Sequence, residues 1–200
     1  MKTLRALKSH VASAACILAL ATSTSAVELK MLTEEFAPLN FERGGQIVGL
    51  GTDQVVEMMA RAGLAYDMEL TQWSRAITLA EKQTHTCVFS TSHTDARDPN
   101  FQWVEPLAVE KVILIKTKGS DIAVSDMAAA SGLRVGTQTG DYTIGILEKN
   151  NFGRIDLSPV PDVTIKKLKA GRIDLMIASA SFLEAALADG EPLEHAMVVA

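Results

Sequence analysis

An arginine follows a short apolar run near the middle of the chain, in the stretch CVFSTSHTDAR. Arg97 stands there after small hydroxyl residues that include Ser90 and Ser92. A guanidinium group can hold a carboxylate through two parallel hydrogen bonds, and hydroxyl groups can complete such a site. Asp95 and Asp98 lie close in sequence, so a solvated surface ion pair is the alternative. The residue types favour an anion site over that surface pair.

Polar and aromatic side chains also follow other predicted strands. In open α/β sheets, ligands bind outside the carboxyl ends of the strands, so we expect these loops to face one cleft. The candidates are Glu35 and Phe36 after the first strand, Thr139, Gly140, Asp141, Tyr142 and Thr143 after a strand in the second half, and Ser179 after a later strand. Trp73, at the start of a predicted helix, is a further candidate.

Several of these side chains also have a structural interpretation. Asp141 and Ser179 each precede a predicted helix, where Asp and Ser commonly cap the N-terminus. Phe36 could pack beneath its own loop, and Trp73 is typical of a core residue. The segment VGTQTGDYT has too few glycines, and no lysine, for a phosphate-binding loop. Its helix N-terminus could still receive a carboxylate.

The sequence offers little for catalysis or metal binding. It contains no HExxH motif, no Cys/His pair with metal-ligand spacing and no GxSxG motif. We therefore predict a protein that is not an enzyme, with no catalytic residue, no metal and no cofactor.

The first 26 residues predict export. A basic start with Lys2, Arg5 and Lys8 is followed by the apolar run VASAACILALA and the small residues TSTSA. This order is typical of a secretory signal cleaved after Ala26; a lipoprotein signal at Cys16 is the alternative. Cleavage leaves 16 basic against 24 acidic residues, a formal charge of −8. Such a charge argues against nucleic acid or an anionic membrane as the partner.

Short strand-like runs alternate with helical patterns along the rest of the chain. In TDQVVEMMARAG, for example, Thr52 or Asp53 can cap a helix, Val55 and Val56 belong to its apolar face, and Gly63 can end it. Such alternation predicts an α/β fold with parallel sheets and helices on both faces. The two halves divide near residues 109–118. The final apolar run, HAMVVA, reaches the last residue, which we interpret as a truncated chain.

The order of the segments TEEFAPLNF, GQIVGLGTDQVVEMMARAG, STSHTDAR, FQWVEPL, GLRVGTQTGD and LKAGRIDLMIA resembles the bacterial extracellular solute-binding proteins of family 3. These are periplasmic proteins that serve ABC importers of polar amino acids. The resemblance runs from about Leu29 to the end. It implies a type II-like fold with lobe 1 over residues 27–112, lobe 2 over residues 113–200 and a hinge between them. Relatives normally continue with a C-terminal return to lobe 1, which we do not recognise in this sequence.

The resemblance also implies roles for individual residues. In the family, the Arg of a T-x-x-R pattern clamps the ligand carboxylate, which here assigns Thr94 and Arg97. The aromatic residue before Ala-Pro lines the cleft, as Phe36 would here. Ser90 and Ser92 match polar contacts that precede the Arg, and the turn from Gln138 to Thr143 matches donors to the same carboxylate.

Two departures leave the ligand open. Amino-acid-binding relatives commonly place an Asp after the GRID strand to meet the ligand ammonium, and this chain has Ser179 there. Glu34, Glu35 or Asp141 could substitute for that Asp. The stretch QWSRA is also less typical, and Arg75 within it could add a second cation near the cleft.

The leading hypothesis is a periplasmic binding protein that captures a small carboxylate-bearing solute, an amino acid or a related compound. Its partners would be that ligand and an inner-membrane ABC permease, and it would act as a monomer. The alternatives are a dehydratase-like enzyme on the same scaffold, a ligand-sensing domain, and a nonfunctional truncated copy.

Overall fold

The structure is a computed structural model that describes residues 28–199. The predicted secretory signal, residues 1–26, lies outside the described residues. Two sheets, each with its own helices, form two lobes. Among residues 28–199, no helix combines the length and apolar character needed to cross a membrane.

The first lobe is built on a three-stranded parallel sheet with the strand order β4-β1-β5. Its elements are β1 (Leu29–Thr33), β2 (Phe41–Arg43), β3 (Gln46–Val48), α1 (Leu50–Ala62), β4 (Tyr66–Leu70), α2 (Trp73–Lys82) and β5 (Thr86–Val88). Strands β2 and β3 form an antiparallel hairpin between β1 and α1. A short 3-10 helix, Asp98–Asn100, follows β5.

The second lobe is built on a five-stranded sheet with the order β10-β6-β9-β7-β8. Its elements are β6 (Val112–Thr117), α3 (Met127–Ala130), β7 (Val135–Gln138), α4 (Thr143–Lys149), β8 (Ile155–Ser158), α5 (Pro161–Lys169), β9 (Leu175–Ser179), α6 (Ala180–Ala188) and β10 (Leu193–Val198). Strand β7 is parallel to β8 and β9, but β6 is antiparallel to both β9 and β10. The prediction of purely parallel sheets is therefore wrong for this lobe, because β6 enters from the first lobe and runs against the later strands.

Helix α1 shows which local predictions hold. Gly63 ends the helix in the left-handed conformation, with φ 64°, as expected. The N-cap is Gly49, so the predicted cap at Thr52 or Asp53 is wrong. Val55 is buried, whereas Val56, which was expected on the same face, is 41% exposed.

The core of the second lobe lies on both faces of its sheet. Along β6, Ile113 and Ile115 pack with α5 and α6, while Val112 and Leu114 pack on the opposite face. This is the alternation expected of a strand buried on both sides. Gly136 in β7 is packed so closely that an added methyl carbon would lie 2.4 Å from the Cδ1 atom of Ile173. A side chain at this position therefore has no space.

A histidine connects the loop after β5 to the segment that leads into the second lobe. The Nε2 atom of His93 lies 2.7 Å from the Oδ1 atom of Asp98, and its Nδ1 atom lies 3.0 Å from the Oε2 atom of Glu105. The imidazole also stacks on Trp103, with ring centroids 4.2 Å apart. The hydrogen bond with Asp98, together with the interactions with Glu105, raises the pKa of His93 above 6.5.

A large apolar cavity of ≈ 970 Å³ lies beside β5, which is the edge strand of the first sheet. Met31, Met59, Phe89 and Leu107 are among the residues that line it. Within residues 28–199, no further strand pairs with the free edge of β5.

Candidate functional site

A smaller cavity of ≈ 90 Å³ lies between the two lobes. Segments after β1 and β5 and the start of α2 line it from the first lobe. Segments at or after the carboxyl ends of β7 and β9 line it from the second lobe. The carboxyl ends of strands thus meet at one cleft, as the strand–loop pattern predicted.

Most of the predicted site residues come together in this cavity. Nine of them line it: Phe36, Trp73, Ser90, Ser92, Arg97, Asp141, Tyr142, Thr143 and Ser179. Four do not. Glu35 is outside the cavity and accepts a hydrogen bond from the backbone amide of Glu42, and Arg75 is exposed on α2. Thr139 is exposed, and Gly140 contributes its carbonyl to contacts beside the cavity.

Arg97 is positioned by three hydrogen bonds. Its guanidinium donates to the Oγ1 atom of Thr91 at 3.0 Å, to the carbonyl of Ser92 at 3.1 Å and to the carbonyl of Gly140 at 3.1 Å. Among the described residues, no carboxylate oxygen lies within 4.0 Å of this guanidinium. The alternative ion pair with Asp95 or Asp98 is not formed. Burial lowers the pKa of Arg97, against an opposing effect of the negative charge of Asp141, yet a guanidinium remains charged at neutral pH.

Trp73 is both a core residue and a cavity residue. Its side chain is 3% exposed, and its indole Nε1 atom donates to the carbonyl of Gly140 at 2.9 Å. The guanidinium of Arg97 lies 5.3 Å from the centre of the Trp73 ring, within cation–π range. Gly140 therefore receives hydrogen bonds from two side chains of the first lobe, which connects the lobes.

Phe36 also reaches the second lobe. Its ring centroid lies 5.1 Å from that of Phe182 in α6. The alternative that Phe36 packs beneath its own loop is therefore wrong, because its ring packs across the cleft.

Ser179 caps a helix, whereas Asp141 bonds to the first residue of α4 without being its N-cap. The Ser179 hydroxyl accepts from the amide of Phe182 at 3.2 Å and caps α6. The Oδ1 atom of Asp141 accepts from the amide of Thr143 at 2.8 Å at the start of α4. The capping interpretation is therefore correct for Ser179. Asp141 keeps its Oδ2 atom without a hydrogen-bond partner among residues 28–199.

Glu34, which the sequence offered only as one of three substitutes for the missing Asp, is a charged residue that lines the cavity. Its side chain is 9% exposed, and its Oε2 atom accepts from the Nε2 atom of Gln138 at 2.5 Å. Burial, together with the negative charge of Asp141, raises the pKa of Glu34 to about 8 against the effect of the Gln138 hydrogen bond. Burial also raises the pKa of Asp141.

Sequence reasoning missed other residues that line the cavity. Thr91 and Thr137 adjoin predicted residues in sequence, so their position after or at the end of a strand was a usable signal. Gln138, which also lines the cavity, belongs to the turn that the family resemblance had assigned. Glu110 comes from the segment between the lobes, where no sequence pattern pointed to the cavity. Within the described part of the chain, no cluster of three or more His, Cys, Asp or Glu side chains could hold a metal ion.

Two α/β lobes, with a cavity between them that charged and aromatic side chains line, define the class of periplasmic-binding-protein folds. Within this class, the chain belongs to the bacterial extracellular solute-binding proteins, family 3, whose family profile matches residues 29–190. The family assignment made from the sequence is thereby confirmed. A search of the curated proteins finds no significant match.

Solved structures of similar fold agree with this assignment. An ancestral arginine-binding protein bound to arginine is 16% identical, with a TM-score of 0.76, and the match covers 86% of this chain and 79% of that one. The arginine-, lysine-, histidine-binding protein ArtJ from Geobacillus stearothermophilus is 20% identical, with a TM-score of 0.76, covering 84% and 75%. A histidine kinase sensor domain with similarity to periplasmic binding proteins is 13% identical, with a TM-score of 0.80, covering 86% and 78%. At these identities the likeness establishes the fold.

Proposed function

We propose that this protein is a periplasmic solute-binding protein that captures a small carboxylate-bearing solute of the amino-acid class for an ABC importer. The proposed ligand contacts are the nine predicted residues that line the cavity between the lobes. The mature chain would begin after Ala26, act as a monomer and deliver its ligand to an inner-membrane permease.

The observation that carries this proposal is the position of Arg97. Its guanidinium lines the cavity and donates only to neutral oxygen atoms of the protein. A ligand carboxylate is a stronger acceptor than a carbonyl, because both partners of the hydrogen bond are then charged. Exchanging the Gly140 carbonyl for a ligand carboxylate as the acceptor of Arg97 would therefore be favourable. The hydroxyl groups of Thr91 and Ser92, which also line the cavity, would provide further contacts.

The comparisons support an amino acid as the ligand. Two of the similar structures are proteins described as binding arginine, or arginine, lysine and histidine. The lobes of such folds close over a ligand by hinge motion, which removes the ligand from water. We place the hinge in the segment that joins β5 to β6, at the boundary predicted from the sequence. Since the family is one of binding proteins, we propose binding without turnover.

Ligand sensing is the second candidate function, because a histidine kinase sensor domain shares the fold with a TM-score of 0.80. The two functions use the same cavity but differ in the step after binding. Uptake of a radiolabelled ligand, measured in cells with and without the gene, separates them. Loss of uptake supports the importer, and unchanged uptake of a ligand that the purified protein binds supports sensing.

Ligand-induced thermal stabilisation tests the proposed function. A ligand at 100 times its Kd adds about 2.7 kcal/mol to the stability of the native state, which raises Tm by roughly 5–10 °C for a chain of this size. We expect this shift with amino acids and not with the corresponding amines, which lack the carboxylate.

The matched variants are Arg97→Ala and Arg75→Ala. Removing one partner of a buried charged pair costs about 2–5 kcal/mol, so Arg97→Ala should weaken amino-acid binding by about 30-fold or more. Arg75, exposed on the same lobe, should be replaceable without effect. Unchanged affinity in Arg97→Ala, or an equal loss in Arg75→Ala, would contradict the assignment of the carboxylate to Arg97.

A further inference from the structure

The imidazole of His93 lies between two carboxylates that come from different segments of the chain. Its Nε2 atom lies 2.7 Å from the Oδ1 atom of Asp98. Its Nδ1 atom lies 3.0 and 3.1 Å from the two carboxylate oxygens of Glu105. A carboxylate only accepts hydrogen bonds, so both ring nitrogens must carry a proton for both contacts to form. The geometry therefore requires the imidazolium form of His93.

The contact with Asp98 closes the turn that carries Arg97. The backbone amides of Arg97 and Asp98 both donate to the carbonyl of Thr94 at 2.9 Å. His93 stands directly before this turn and holds its last residue through the side chain. The carbonyl of Ser92, on the other side of His93, accepts from the Arg97 guanidinium at 3.1 Å. The direction of the Arg97 side chain thus depends on the residues that the imidazole holds together.

The contact with Glu105 joins this turn to the segment between the lobes. Residues 101–110 form neither helix nor strand, and no backbone–backbone hydrogen bond within residues 28–199 involves them. Side-chain contacts must therefore position this segment. Trp103 stacks on the His93 ring, with centroids 4.2 Å apart and 12° between the ring planes. His93 thus contacts both the Arg97 turn and the connection that leads into β6.

The charge of the ring decides whether these contacts persist. Asp98, from the 3-10 helix, and Glu105, from the segment between the lobes, are the charged groups that face His93 among the described residues. Their hydrogen bonds raise the pKa of His93 above 6.5, against the opposing effect of burial. Loss of the ring proton removes one hydrogen bond and leaves the two carboxylates without the cation that separates them.

We propose that His93 is a positioning residue for Arg97: as the imidazolium it holds the Arg97 turn against the segment between the lobes, and on losing its proton it releases that turn. Released turns present Arg97 to the cavity for a smaller fraction of the time, which lowers the apparent affinity for a carboxylate by that fraction. The effect on affinity rests on the proposed function, whereas the effect on the turn does not. A raised pKa means that the contact is complete at low pH and is lost as the pH rises through that pKa.

Hydrogen exchange of the ligand-free protein tests the effect on the turn. We compare the unmodified protein with His93→Gln at pH 6 and at pH 9, with quenched-flow labelling and mass spectrometry of a peptide that contains Arg97 and Asp98. Exposed ion pairs are individually weak, so two contacts on one ring should slow exchange by about 3–10-fold. This difference should appear at pH 6 and be absent at pH 9. Equal exchange at pH 6, or the same acceleration at both pH values, would overturn the proposal, because a merely structural contact does not depend on this proton.

The matched control is His195→Gln, which replaces an exposed histidine of β10 in the second lobe. This variant should exchange like the unmodified protein at both pH values. An equal acceleration in His195→Gln would show that the effect does not belong to the position of His93, and the proposal would fall.

Calorimetry with L-arginine tests the effect on affinity, since two of the similar structures are described as arginine-binding proteins. His93→Gln should bind L-arginine about 3–10-fold more weakly than the unmodified protein at pH 6 and equally well at pH 9. Titration of the ligand α-amino group and of Glu34 affects both proteins alike and cancels in this ratio. A ratio of one at pH 6, or an equal loss at both pH values, would contradict the link between His93 and Arg97.

The two measurements also separate this proposal from the proposed function. If neither L-arginine nor any other amino acid binds, but exchange differs at pH 6 alone, the role of His93 in the turn stands and the proposed function fails. If amino acids bind and Arg97→Ala loses them, but His93→Gln matches the unmodified protein in both measurements, the proposed function stands and the role of His93 falls.

Discussion

Replacing the buried carboxylate of Glu34 by an amide should make the free protein more stable. Folding buries Glu34 and raises its pKa from an ordinary value of 4.5 to about 8. At pH 7 the side chain is ionised in the unfolded chain and must take up a proton on folding. At about 1.4 kcal/mol for each tenfold difference in protonation, this costs about 3 kcal/mol. Glu34→Gln removes this cost and can keep the hydrogen bond with Gln138.

The gain in stability has a defined pH profile. An acid whose pKa is raised on folding destabilises the protein only above its unfolded pKa, and the effect is complete once the pH exceeds the folded pKa. The difference in free energy of unfolding between Glu34→Gln and the unmodified protein should therefore be about 1 kcal/mol at pH 5 and about 3 kcal/mol at pH 7. It should reach about 5 kcal/mol at pH 8.5.

Urea unfolding at these three pH values measures the difference, provided that the slope with urea is the same in both proteins. Glu35→Gln is the control, because Glu35 lies outside the cavity and a surface substitution changes stability by about 0.5 kcal/mol or less. A difference that does not grow with pH would refute the reasoning, and so would an equal gain in Glu35→Gln. A confirmed gain would mean that the protein retains a destabilising carboxylate at its binding cavity, a common exchange of stability for function.

Three further predictions concern stability. Gly136→Ala should lower the free energy of unfolding by about 1–3 kcal/mol, because β7 has no space for a methyl group there. Gly145→Ala, in an open position of α4, should raise it by up to about 1 kcal/mol. Urea unfolding should show these opposite signs. Ser179→Ala should cost about 1 kcal/mol through loss of the α6 cap, and an unchanged Tm would contradict that role. The carboxylates around His93 stabilise its charged form, so the unmodified protein should be more stable than His93→Gln below pH 6.5. This advantage should disappear as the pH rises through the raised pKa of His93, and an advantage that persists at high pH would contradict the ion-pair assignment.

Local patterns predicted most of the elements that position the cavity. The end of α1 at Gly63 follows from the conformational freedom of glycine, and the packing of successive β6 residues on opposite faces of the sheet follows from the twofold period of a strand. These local patterns do not predict the direction in which a strand runs within its sheet. The antiparallel course of β6 depends on its entry from the other lobe, and the same local sequence would suit a parallel strand.

The sequence by itself determined the α/β alternation, the family and the placement of Arg97 among hydroxyl groups after a strand, because these depend on residue type and spacing along the chain. Only the tertiary structure decided which of two adjacent carboxylates enters the cavity. Neighbouring residues in an extended segment project to opposite sides, so Glu34 is buried against Gln138 while Glu35 bonds to the amide of Glu42 outside the cavity. Likewise, Arg97 donates to the carbonyl of Gly140, which lies 43 residues away in sequence, only because the two lobes face each other.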